Sequence, residues 1–247
     1  MIGLVTGIIQ EELKNDYFGT LEKVATIGFQ GMEFGKTLAR EGYSREAVKS
    51  KLDSLGIQVV TMHIKTEDLV EDIQGLIEQA EFAGAKFLDV VWSPCETKEQ
   101  VLEMAKILDT SALILKEHGF VLTYHNHHHE FLNMFDGVRA IKILVENTKE
   151  LKFQVDVCWA KFGGVEPETF ISHLGKRCAI LHMKDLRNTT EIGDFIEVGD
   201  GIVDFPAVIA AAKAAGVEWF IVEQDKPYLL SPMDSIERSY KNLKAML

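Results

Sequence analysis

Residues 120–131 read FVLTYHNHHHEF. An apolar run, Phe120 to Tyr124, ends abruptly in His125, Asn126, His127, His128, His129 and Glu130. Four of the chain's eight histidines fall within five residues. A strand buried on both faces reads as a continuous apolar run. A sudden change to metal-ligating and acid–base side chains marks the point where such a strand opens into a site. A solvated histidine loop is the plainer alternative. An expression tag is not, because the run is internal and interrupted by Asn126. The question for the remaining sequence is whether other strands end in the same way.

A recurring pattern surrounds this stretch. Helical segments close on glycine and pass into β-branched or aromatic runs at Gly28, Gly56, Gly84, Gly119, Gly175 and Gly216. Glycine accepts the left-handed conformation that ends a helix, so each is a C-cap before a strand. The spacing of the first three fits one βα unit. Eight strands follow: 2–6, 30–34, 58–63, 86–92, 120–124, 152–156, 178–182 and 219–223. Helices are expected over 17–27, 44–54, 67–83, 98–117, 137–147, 167–173, 205–215 and 234–246, and 184–204 is left as one long loop. Continuous apolar runs such as VVTMHI and FLDVVW suit parallel strands covered on both faces. Eight βα units in 247 residues predict an α/β fold, a single (β/α)8 TIM barrel spanning 1–247 as one domain.

Composition narrows the function. The formal net charge of −12 repels phosphate backbones, which argues against nucleic acid as a partner. No apolar run reaches the roughly 20 residues needed to span a bilayer. The opening MIGLVTGIIQEEL lacks the basic segment of a signal peptide. Three scattered cysteines predict a reducing compartment without a disulfide framework, so the expected location is cytoplasmic. No phosphate-cradling glycine motif is present.

The active site of a barrel lies at the carboxyl ends of its strands. Those ends carry Glu33, His63, Trp92, the histidine cluster with Glu130, Asp156, His182 and Glu223. Asp156, His182, Glu223 and one group from the fifth strand end are placed to surround a cation. An oxygen-rich set suits Mn²⁺, Mg²⁺ or Co²⁺ better than a closed thiolate zinc site. Each residue also has a plainer reading. Asp156 and Glu223 read equally as helix caps, Glu33 as a solvent-facing rim residue, and Trp92 and Trp159 as packing. The joint pattern carries the site.

YHNHHHEF (124–131), DVCWA (156–160), LHMKD (181–185), GDGIVDFPAVI (199–209) and FIVEQD (220–225) resemble the xylose isomerase-like TIM-barrel superfamily, most closely its sugar phosphate isomerase/epimerase branch. The resemblance covers nearly the whole chain. It implies one divalent metal ion (Mn²⁺, Mg²⁺, Co²⁺ or Zn²⁺) held by Glu130, Asp156, His182 and Glu223. Glu130 and Glu223 would also move protons through an enediolate. The fifth-strand assignment departs from the epimerase pattern: His125 stands where those members carry glutamate, and Glu130 lies five residues later. Glu130 is favoured, with His125 or His127 as alternatives that would displace the two-glutamate mechanism. The resemblance further implies that His63, His125 and His127 contact substrate, that Lys184 approaches a substrate oxygen or a ligand carboxylate, that Trp159 forms pocket wall, and that Asp200 covers the site. The expected function is isomerisation or epimerisation of a sugar, keto-sugar or related polyol, in a protein that pairs as a homodimer. The alternatives are a lyase or dehydratase, inosose dehydratase-like or glycoside-cleaving, and a non-catalytic sugar-binding barrel. An endonuclease IV-like phosphodiesterase is opposed by the acidic balance.

Overall fold

The computed structural model describes residues 1–247 except Pro227. Eight strands close into a parallel barrel: β1 (Ile2–Val5), β2 (Gly31–Gly35), β3 (Gln58–Ile64), β4 (Phe87–Val90), β5 (Val121–His125), β6 (Lys152–Asp156), β7 (Cys178–Met183) and β8 (Trp219–Val222). Each strand pairs with its sequence neighbour, and β1 pairs with β8 to complete the ring. All six cap glycines have positive φ. The expected (β/α)8 barrel is therefore the observed fold.

Three local readings change. β4 stops at Val90, leaving Trp92 beyond the strand and 55% exposed instead of packed. The helix expected over 67–83 is two helices, Thr66–Glu71 and Ile73–Ala83. Asp72 leaves the helical conformation between them, and its carboxylate accepts from Gly75 N at 2.9 Å, restarting the helix. The long loop after β7 carries a short antiparallel ribbon, Asp185–Leu186 with Phe195–Ile196. Buried Asp185 ties it down by accepting from the backbone N–H groups of Leu186, Gly199, Gly201 and Val203.

Alternation along the strands sorts side chains into two cores. Outward residues such as Met32, Phe34 and Phe153 join the large core beneath the helices. Inside the barrel, Val60, Ile180, Trp219 and Ile221 form an apolar plug. Gly31 makes room for it: a Cβ there would stand 2.4 Å from Val60 and 2.6 Å from the Trp219 ring. Glu33, Thr61, Asp89, Thr123 and Gln154 form a fully buried polar group within the same barrel. It supports the strand ends from below.

Candidate metal centre and active site

Asp156 closes β6, and its two carboxylate oxygens stand in different surroundings. Its Oδ1 accepts from Trp159 N at 2.8 Å, starting the short helix Val157–Phe162, while its fully buried Oδ2 has no hydrogen-bond partner among the described residues. Asn126 fixes the backbone here: its amide donates to Asp156 O at 3.1 Å and its oxygen accepts from Asp156 N at 3.2 Å. The end of β5 is thereby locked to the end of β6.

His182 closes β7 with its Nε2 2.8 Å from Glu33 Oε2. The same carboxylate oxygen lies 3.0 Å from His63 Nε2, and Glu33 Oε1 accepts from Gln154 Nε2 at 2.6 Å. Burial opposes a charge on Glu33, but His182 and His63 outweigh it and hold its pKa well below the usual carboxylate range. A buried carboxylate makes both Nε2 atoms donors. His182 Nδ1 is left without a hydrogen-bond partner among the described residues and faces Glu223 Oε2 at 3.7 Å. Gln154, its amide nitrogen committed to Glu33, offers its oxygen to His125 Nδ1 at 3.2 Å. That bond assigns the proton to Nδ1 and the free lone pair of His125 to Nε2. Burial, reinforced by the neighbouring His182 and His127 rings, keeps His125 neutral by pushing its pKa well down.

His125, Asp156 and His182 each bring a ligand-type atom within 4.8 Å of the others, and all three are buried. Glu223 joins them from the end of β8, and its Oε2 is a third atom without a hydrogen-bond partner among the described residues. Lys184, fully buried, lies 3.3 Å from Glu223 Oε2 and 3.9 Å from Asp156 Oδ2, and it pairs with Asp225. Its ammonium rests on Trp159 and Phe195, 4.3 and 4.6 Å from the ring centroids. Burial disfavours this cation, yet Glu223, Asp156 and Asp225 hold its pKa above the ordinary lysine value. Burial likewise opposes ionisation of Glu223, but Lys184 and His182 keep its pKa well down. Asp156 is pushed up by its own burial, with Lys184 opposing and Glu223 adding to the rise.

Glu130 stands in a second group. Tyr124 Oη donates to its Oε1 at 2.7 Å and His127 N to its Oε2 at 2.8 Å, and the carboxyl is fully buried. It groups with His127 and His129, while His125 groups with Asp156 and His182. His63 and His127 are half-buried at the mouth, and His127 Nδ1 lacks a hydrogen-bond partner among the described residues. Trp159 is buried, its ring 5.9 Å from that of His127. Asp200 pairs with Arg238 at 2.6 Å. Glu33, read from sequence as a strand-end candidate with a solvent-facing rim residue as the plainer alternative, is fully buried at the centre of the network.

A cavity of about 460 Å³ opens beside Glu223, lined also by Gln224, Asp225 and Tyr228. It shares Val5, Gly7 and Gln10 with a larger neighbouring cavity of about 760 Å³. Among the described residues, no helix is long and apolar enough to cross a membrane.

The sequence model of a family described as xylose isomerase-like TIM barrel matches residues 21–246. An inosose dehydratase of Geobacillus thermodenitrificans is 24% identical over 233 residues, covering 85% of this chain and 72% of the relative. Among solved structures, a sugar phosphate isomerase/epimerase from Parabacteroides distasonis superposes with a TM-score of 0.86 at 22% identity, covering 99% of this chain and 93% of the other. A structure described as IOLI protein with a binding zinc atom has a TM-score of 0.79 at 17% identity, covering 99% and 97%.

Proposed function

The chain belongs to the xylose isomerase-like TIM-barrel family, and on that premise we propose that it is a divalent-metal-dependent isomerase or epimerase of a sugar, keto-sugar or related polyol. One observation carries this reading: Asp156 Oδ2, His182 Nδ1 and Glu223 Oε2, all buried and without hydrogen-bond partners among the described residues, converge at the strand ends. Buried polar atoms are ordinarily satisfied, and several orphans at one place call for an ion. Asp156, His182, Glu223 and His125 would hold it. That a structure of the same fold is described with a binding zinc atom supports a metal in this protein. Mn²⁺, Mg²⁺, Co²⁺ and Zn²⁺ all suit a mixed carboxylate and imidazole set.

When bound, the cation supplies Lewis acidity that polarises a sugar carbonyl or hydroxyl and acidifies the neighbouring C–H. Lys184 keeps Glu223 ionised, so Glu223 takes that proton, using Oε1, the oxygen not turned toward Lys184 and His182. His127 faces the site as a neutral imidazole, its pKa pushed down to about 3 by burial and by Lys184. From the other wall it donates a hydrogen bond to a substrate oxygen, while Glu223, protonated by the abstraction, delivers that proton to the neighbouring carbon. Glu130 acts as a positioning residue that fixes the turn carrying His127. Trp159 walls the pocket and seats Lys184.

The inosose dehydratase relative favours a second reading, elimination of water after the same proton abstraction. The test begins with metal analysis of untagged protein purified without nickel, beside the Asp156→Asn, His182→Ala double variant. About one equivalent in the parent, lost in the variant, is expected. A sugar panel follows. An isomer of equal mass identifies the isomerase or epimerase, and a dehydrated product identifies the lyase. Metal retained by the double variant overturns the donor set.

A further inference from the structure

The larger cavity, about 760 Å³, begins at His63 and extends away from the metal donors between the ends of β1 and β2 and the segments that follow them. Its size lies in the upper part of the ~300–1,000 Å³ range of pockets that hold drug-sized molecules. That is more room than one sugar ring requires. Its walls combine apolar surface from Val5, Leu13, Tyr17 and Tyr43 with the polar groups of Gln10 and Arg40. Tyr17 and Tyr43 stack with ring centroids 5.4 Å apart. Tyr17 is only 5% exposed, yet its hydroxyl has no hydrogen-bond partner among the described residues. The hydroxyl itself is enclosed near Arg40, so Tyr17 offers the cavity its ring.

Gly35 keeps this space open. It lies two residues beyond Glu33 on β2, so strand alternation directs its side-chain position to the same interior face. A Cβ there meets nothing within 4 Å, and its φ lies outside the range that only glycine adopts comfortably. The backbone therefore does not require glycine at this position; the cavity does.

We propose that this cavity is a second subsite of the same active site, and that the substrate is a sugar joined to a further ring instead of a free monosaccharide. The second ring presents an apolar face to Tyr43, Leu13 and Val5 and a polar edge to Gln10 and Arg40. Two sources share this chemistry, an aromatic aglycone and a second sugar. The proposal rests on the reading of the strand-end donors as the reaction centre, since it takes His63 as the junction between the subsites.

Calorimetric titration of Mn²⁺-loaded protein tests it. The probes are free glucose, galactose, mannose and xylose, the phenyl α- and β-glycosides of each, and disaccharides containing the same rings. At least one conjugate is expected to bind tenfold or more tighter than its parent sugar. A gain confined to phenyl glycosides identifies an aglycone site; a gain confined to disaccharides identifies a sugar site. In Gly35→Leu the gain is expected to disappear while metal content stays at the parent value. Where leucine prevents folding, Gly35→Ser should reduce the gain in part. No conjugate exceeding its parent sugar, or a gain left undiminished in a folded Gly35 variant, overturns the subsite. A protein that takes up metal without a conjugate preference overturns the subsite alone. A conjugate preference that persists in protein unable to take up metal overturns the metal reading alone.

Discussion

Glu33 and His182 stand 149 residues apart in the chain and 2.8 Å apart in the barrel, with Glu33 Oε2 accepting from His182 Nε2. Partners of this kind fix the tautomer and the aim of a ligating imidazole, and their loss typically costs 10–100-fold in metal affinity. Glu33→Gln puts an amide where three donors converge, and at least one of His182, His63 and Gln154 then loses its acceptor. Mn²⁺ affinity should fall roughly 10–100-fold with the fold retained by circular dichroism. Unchanged affinity would remove Glu33 from the support of the site.

The choice between His125 and Glu130 as the fifth-strand donor divides into two variants. His125→Ala should lose bound metal, because it removes an imidazole grouped with Asp156 and His182. Glu130→Gln should keep close to the parent metal content but lose activity, because the turn presenting His127 loosens. Elemental analysis of both proteins decides; metal lost from Glu130→Gln alone restores the original two-glutamate assignment.

Asp89 gives a pH dependence of stability. Burial pushes its carboxyl up to about 6, with His63 and the Thr123 hydroxyl working against the rise. The folded protein therefore holds this proton over a range where the unfolded chain has lost it. Below roughly pH 4 both states are protonated and Asp89 costs nothing. Stability falls as pH rises from there to about 6, and remains lower above by about 3 kcal/mol at most. Asp89→Asn keeps an acceptor for Thr123 and removes the charge. It should gain stability over the parent in urea melts at neutral pH, and little near pH 4. An equal difference at both pH values refutes the assignment.

Gly31→Ala should destabilise the barrel. The added methyl would stand 2.4 Å from Val60 and 2.6 Å from Trp219. Overpacking of this kind costs about 1–3 kcal/mol, readable as a lower urea midpoint with an unchanged slope. Gly31→Ala combined with Trp219→Phe, which shrinks the obstructing ring, should recover part of the loss. A neutral single variant would mean that the plug yields more readily than a close-packed core does.

The barrel was legible because parallel buried strands are continuous apolar runs, six of the eight introduced by a capping glycine. Asp156, His182 and Glu223 were legible as strand ends. Whether Asp156 caps a helix or serves the site was not, because one oxygen caps while the other is left without a partner among the described residues. The choice at β5 depends on the turn after the strand, where Tyr124 and the His127 N–H claim Glu130. The buried network around Glu33 was not legible, because its partners lie 30, 121 and 149 residues away. A signal was nonetheless present in GMEFG: Met32 and Phe34 face the helices, and alternation turns Glu33 inward between two glycines. The break at Asp72 also had its signal, an Asp three residues before Gly75 in the middle of a long helical pattern.

The closure of β1 on β8 has a consequence for synthesis. Ile2, Gly3 and Leu4 lie opposite Phe220, Ile221 and Val222, so one edge of the first strand waits for partners made more than two hundred residues later. A nascent chain carries that unpaired edge throughout elongation, together with half-assembled carboxylates whose counter-charges have yet to be translated. Until β8 arrives, a chaperone or a neighbouring chain competes for the same backbone groups.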